Sequence, residues 1–181
     1  EVIEIARRAA LETGVDDPEK EGDHIGPLFD QIQFDRVQAM IQVGIEEGAN
    51  LIAGGVGRPE GFDSGWYVRP TIFADANNTM RIAREEIFGP VLTIIPFETE
   101  AEAIEIANDT PYGLAAYVQT GDADRAARLS RALRAGAVHF NGGAYEYGSP
   151  FGGYKASGNG REGGEMGLED FLETKMVHGL P

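Results

Sequence analysis

The sequence predicts an α/β fold, a parallel sheet with flanking helices, on three observations. Strand-like and helix-like patterns alternate from Val91 to Phe140. The first strand of that run, Val91-Leu92-Thr93-Ile94-Ile95, is almost continuously apolar, as suits a strand covered by helices on both faces. Helix starts in the same region are marked by residues that cap, Thr99 with Glu102 and Asp122 ahead of Ala123. Alternation of this kind gives parallel neighbours joined by right-handed crossovers.

Taken in order, the first ten residues show the spacing of an amphipathic helix and lack the long apolar run of a signal or spanning segment. The stretch with Gly14, Pro18, Gly22, Gly26 and Pro27 reads as loop. Asp30 with Gln33 forms a capping pair for a second helix, whose inner face is Phe34, Val37, Met40, Ile41 and Ile45 and whose stop is Gly48. A strand is expected at Leu51-Ile52-Ala53, and another from Tyr67 to Phe73, where Pro70 demands an edge or a bulge. A short helix from Thr79 to Arg84, capped by Asn78, precedes the apolar strand. Beyond it come a helix to about Ala107, a strand Leu114 to Val118, a helix Ala123 to Leu133, a terminating Gly136 and a strand Ala137 to Phe140. A long glycine-rich loop, a helix Glu165 to Phe171 and an extended tail Leu172 to Val177 close the chain.

Composition narrows the function. With 181 residues, 42% hydrophobic and 25% charged, the chain is of ordinary globular make-up and has room for one domain. The net charge of -15 argues against nucleic acid and membrane as partners, because both need cationic surface, and suits solubility instead. With Cys 0, disulfides, thiolate metal sites and cysteine catalysis are outside the reach of these residues alone. His24, His139 and His178 are too scattered for a metal site, so no metal is expected. Cytoplasm is the expected location. A start at Glu1, inside a helix and without Met, leads us to expect a piece of a longer protein.

Two glycine-rich motifs carry the chemistry. In Glu85-Glu86-Ile87-Phe88-Gly89-Pro90-Val91, Glu86 stands where helix gives way to strand, and Gly89-Pro90 makes the mount rigid. A carboxylate there can accept hydrogen bonds from two vicinal ribose hydroxyls. The plainer alternative is that Glu85 and Glu86 are solvated helix-end charges and Phe88 is core. In the second motif, Ser149 to Glu162, Phe151 follows Pro150, and Gly152-Gly153 lets another segment approach closely. Gly158-Asn159-Gly160-Arg161-Glu162-Gly163 matches a dinucleotide fingerprint by spelling only, since no apolar strand precedes it. Arg125, Arg128, Arg131 and Arg134, with Asp122 and Asp124 beside them, read as a solvated helix face.

Together these motifs resemble the C-terminal part of the catalytic domain of the NAD(P)-dependent aldehyde dehydrogenases, over nearly the whole chain from Val2 to Val177. The resemblance implies a Rossmann-like parallel sheet and NAD or NADP as cofactor. It implies Glu86 on the nicotinamide ribose and Phe88 near the nicotinamide ring. Phe151 would lie in the wall of the aldehyde tunnel, with Asn141 and the stretch Ala144-Tyr145-Glu146-Tyr147 near its mouth. Residues 1–164 would belong to the catalytic domain, and residues 165–181 to a closing helix and a tail strand used for oligomerisation, giving a homodimer or homotetramer. The family's cysteine thiolate, which adds to the aldehyde, and the glutamate that activates water against the thioester would both lie upstream of Glu1. No catalytic residue is therefore assigned within this chain, and the substrate is a small aldehyde. Two other readings stand beside this one: a non-catalytic binding or oligomerisation module, and a CoA-acylating relative.

Overall fold

The computed structural model describes residues 1–179 and 181. Contacts gather them into two compact units, residues 1–97 and 98–181.

In the first unit the elements are α1 (Val2–Glu12), β1 (Gly14–Val15), β2 (His24–Ile25), α2 (Gln31–Glu46), β3 (Asn50–Ala53), β4 (Thr71–Ala74), α3 (Arg81–Arg84) and β5 (Val91–Thr93). Strands order as β3-β4-β5, with β3 antiparallel and β5 parallel to the middle strand. The strand covered on both faces is β4, all four of whose residues are buried. This corrects the expectation for Val91–Ile95: β5 ends at Thr93, is an outer strand, and leaves Leu92 52% exposed. Pro70 sits one residue ahead of β4, so its missing N–H costs no ladder bond, and pairing opens with Thr71 N–H donating to the Pro90 carbonyl at 2.8 Å. The stretch read as loop holds one short parallel pairing, Gly14 with His24 and Val15 with Ile25.

α2 supplies most of the core. Phe34, Val37, Met40 and Ile41, at helical spacing, pack with Phe73, Ile82, Ile87, Val68 and Ala76. The Asp30 carboxylate accepts from Gln33 N–H at 2.7 Å as a cap should, and Gly48, at φ +83°, takes the left-handed turn that ends the helix. The helix expected at Thr79 begins at Arg81 instead, because Asn77 turns the chain first by accepting from Thr79 N–H at 2.9 Å.

The second unit runs α4 (Glu100–Asn108), β6 (Ala115–Val118), α5 (Ala123–Ala132), β7 (Ala137–Phe140), a single 3-10 turn (Lys155–Ser157) and α6 (Gly164–Glu169). Thr99 and Asp122 cap α4 and α5 through the backbone N–H groups of Glu102 and Arg125. β6 and β7 pair in parallel from Ala115–Ala137 to Val118–Phe140. Arg128 and Arg125 both bind the Glu100 carboxylate, at 3.0 Å each, and hold it below the usual carboxylate range. Residues 172–179 form neither helix nor ladder pairing with any of the described residues.

The second motif folds back on the turn before β6. Gly136 N–H and Tyr154 N–H both donate to the Gly113 carbonyl, at 3.0 and 2.8 Å, and Gly113 N–H donates to Ser157 Oγ at 3.1 Å. Gly136 lies so close to Gly152 that a Cβ would overlap the Gly152 carbonyl. We predict that Gly136→Ala lowers stability by about 1 to 3 kcal/mol through overpacking, visible as a lower urea midpoint, whereas Gly121→Ala, in open space, shifts it little.

Candidate functional site

Glu85 and Glu86 have different surroundings. α3 ends at Arg84, and the Arg81 guanidinium reaches along the helix to Glu85 at 2.7 and 3.3 Å, drawing that carboxyl below its usual range. Glu86 follows in an irregular segment, and its exposed carboxylate accepts no hydrogen bond from the described residues. Ile87 is buried in the core, which pins the segment. Phe88 then takes a left-handed backbone, φ +54°, and its ring stands 64% exposed with the Arg36 guanidinium 5.8 Å from its centroid. Phe88 is thus not a core residue, against the plainer of the two sequence readings. Three carbonyls of this segment are held from α2. Arg36 donates to the Glu86 carbonyl at 2.8 Å, and the Gln33 amide donates to those of Ile87 and Phe88 at 3.2 and 2.6 Å. Neither Gln33 nor Arg36 was singled out from the sequence as a site residue. Gln33 was read only as the mate of the Asp30 cap.

Within the second unit, Tyr145 and Phe151 come together in an edge-on pair, centroids 6.4 Å apart at 81°. The Tyr145 hydroxyl donates to the Ser149 carbonyl, and Phe151 exchanges two backbone hydrogen bonds of 2.7 Å with Glu162. These aromatics face an open cleft of about 1020 Å³ whose other side is formed by Leu114, Tyr117, Val138 and His139 of the β6–β7 region. Tyr117 and His139, cross-strand partners, stack at 4.9 Å. Asn141 follows β7 in a left-handed conformation, φ +52°, and its amide is spent on the chain after β6: Oδ1 accepts from Thr120 N–H at 2.8 Å and Nδ2 donates to the Thr120 carbonyl at 2.9 Å. Tyr147 is wholly exposed. The decoy fingerprint follows the 3-10 turn, not a strand, and opens at Gly158 with φ +108°.

The sequence profile of the aldehyde dehydrogenase family matches residues 1–177. The chain belongs to the aldehyde dehydrogenase family. A Pseudomonas sp relative, 3-succinoylsemialdehyde-pyridine dehydrogenase, is 52% identical over 179 residues, which is 99% of this chain and 38% of that protein. The aldehyde dehydrogenase of Bartonella henselae, as a crystal structure, superposes with a TM-score of 0.93 at 50% identity, over 96% of this chain and 36% of its own. A mutant of aldehyde dehydrogenase C from Pseudomonas syringae, solved with NAD+ and octanal, gives 0.93 at 51% identity over the same shares, 96% and 36%. The chain therefore spans little more than a third of the length of these aldehyde dehydrogenases, and the α/β class expected from its sequence is the class of the fold they share.

The side chain of Asn141 joins the ends of the two strands of this aldehyde dehydrogenase sheet. Asn141→Ala should cost about 3 kcal/mol, the sum of two lost hydrogen bonds at about 1 kcal/mol each and a left-handed backbone that alanine tolerates poorly. Chemical denaturation checks this, with Asn141→Gly expected to recover only the backbone share.

Proposed function

We propose that this chain is the C-terminal part of an enzyme that oxidises a small aldehyde to its carboxylic acid with NAD or NADP, and that it supplies cofactor-positioning and substrate-lining residues to that enzyme. The observation that carries the reading is the contrast between Glu85, neutralised by Arg81, and Glu86, whose exposed carboxylate has no donor among the described residues. An exposed, rigidly mounted acceptor beside an exposed aromatic ring suits a ribose with the ring attached to it. Glu86 and Phe88 would hold the nicotinamide half, which supplies the hydride acceptor when bound. Phe151 and Tyr145 would line the path of the aldehyde, with Asn141 holding the framework at its mouth. The nucleophilic thiolate and the general-base glutamate would come from residues outside these 181, in keeping with Cys 0 and with the third of a family member that the chain spans.

Residues 165–181 are proposed as a closing helix and an oligomerisation tail. Phe171, Leu172, Met176 and Val177 expose apolar surface that a partner subunit would cover in a homodimer or homotetramer. No helix among the described residues is long and apolar enough to cross a membrane. A cytoplasmic location is proposed as an independent part of this reading.

Three outcomes are expected. Mixed with an aldehyde and NAD, the 181-residue chain gives no rise in NADH absorbance over a buffer blank. In the intact enzyme, Glu86→Gln slows turnover by roughly ten- to a hundredfold, mainly in kcat, because one charge-assisted hydrogen bond contributes about 1.5 to 3 kcal/mol. Wild-type kcat and cofactor KM with an unchanged Tm would reduce Glu86 to a solvated charge. Light scattering on the intact enzyme should find a dimer or tetramer, and a monomer at micromolar concentration contradicts the role given to the tail.

A further inference from the structure

We propose that Gln33 and Arg36 are positioning residues: two donors on one face of α2 that grip three consecutive carbonyls, those of Glu86, Ile87 and Phe88, and so set the direction of the Glu86 carboxylate and the Phe88 ring. The inference rests on the cofactor reading of Glu86 and Phe88 given above, and adds to it the device that aims them.

Residues 86–88 belong to no helix or strand, so no ladder bond orients their peptide planes. Among the described residues, what holds their carbonyls is side chains of α2, Arg36 Nη2 at 2.8 Å from the Glu86 oxygen and Gln33 Nε2 at 3.2 and 2.6 Å from the next two. Positions 33, 36 and 37 share a helix face. The third of them, Val37, packs against Gly89, where a Cβ would come within 2.8 Å of both its methyl groups. One face of one helix thus meets four consecutive residues of the motif.

The grip is directional, which distinguishes it from anchoring. Buried Ile87 and the Val37–Gly89 contact already fasten the segment to the core. They leave open how the peptide planes on either side of Ile87 are turned. A left-handed aromatic residue is a strained conformation that persists where its surroundings over-determine it, and the Gln33 amide on two adjacent carbonyls, with the Arg36 guanidinium against the Phe88 ring, supplies that constraint. A carboxylate one residue from a loosened plane would spread over several directions and lose the alignment that hydride transfer demands.

The test uses the intact enzyme. Gln33→Leu removes the amide and its hydrogen bonds to two carbonyls at similar volume, and Gln33→Glu sets acceptor oxygens against the same two carbonyls. We expect kcat to fall about tenfold in the first, the effect of one to two net hydrogen bonds, and further in the second, with aldehyde KM unchanged and a primary isotope effect from deuterated aldehyde emerging or growing. Placed on Glu86→Gln, the Gln33→Leu change should slow the enzyme less than about twofold more, because both act through the same carboxylate. Arg36→Met should move kcat the same way and carries the test if Gln33→Leu lowers the Tm by more than a few degrees. Wild-type kcat in Gln33→Leu and Arg36→Met overturns the inference even if Tm falls, as does full additivity with Glu86→Gln. A weakened NAD dissociation constant with unchanged kcat overturns it too, since that marks a direct cofactor contact. Wild-type kinetics in Glu86→Gln itself sinks the cofactor reading, whatever the Gln33 variants do.

Discussion

α2 lies as close to the sheet as it does because residue 89 has no side chain. A Cβ there would come within 2.8 Å of both Val37 methyl groups, and at the far end of the contact a Cβ on Gly44 would come within 2.8 Å of the Phe73 ring. Two glycines, one in the motif and one in the helix, therefore fix the distance at which Phe34, Val37, Met40 and Ile41 close over Phe73. Protein interiors give little at such contacts, so that distance is a constraint and not an average. The rest of the first unit follows from it: β4 becomes the buried middle strand, Ile87 is drawn into the core, and Glu86 and Phe88 are left standing outside it. Pro90 completes the mount, giving up a donor it does not need and receiving Thr71 N–H on its carbonyl.

The second unit is held together differently. Its buried residues, among those described, are Gly113, Gly153 and Gly167, and no large apolar side chain is buried in it. Backbone meets backbone instead, around the turn at Pro111 to Gly113. The turn receives Tyr154, Ala156 and Gly136 N–H groups, and Lys155 Nζ closes it by donating to the Asn108 and Thr110 carbonyls at 2.7 and 3.1 Å. Tight backbone contact of this kind is open only to residues without a Cβ, which is why the second motif is so rich in glycine. A two-stranded sheet has little stability of its own, and Tyr117, Tyr145 and Phe151 remain at the surface of the cleft. Exposed apolar groups gathered in one place mark a surface that something else covers, whether substrate or protein.

Much of the local structure was legible beforehand, and for a common reason. The caps Asp30, Thr99 and Asp122 each bond a backbone N–H three residues on, so the information lies within one helical turn. Strand Ala137–Phe140 and the stop at Gly48 were legible on the same grounds. The two motifs, read as spelling, led to Glu86 and Phe88 and to the family itself. They gave no sign that Asn141 would spend its whole amide on Thr120.

By itself, then, the sequence determined the caps Asp30, Thr99 and Asp122, though not Asn78, since α3 starts after Met80 with no side-chain cap, together with the alternation of helix and strand, the stop at Gly48, and the family. Tertiary structure alone decided three further matters. It made β4 the fully covered strand, because burial of both faces depends on what packs against the sheet and not on a strand's own apolar content. It paired Gly14–Val15 with His24–Ile25, two residues against two, too short to leave a periodic signal. And it turned the Gln33 side chain away from its own helix start toward carbonyls 54 and 55 residues on, because an amide with two acceptors in reach is settled by packing between distant segments, which no local pattern encodes.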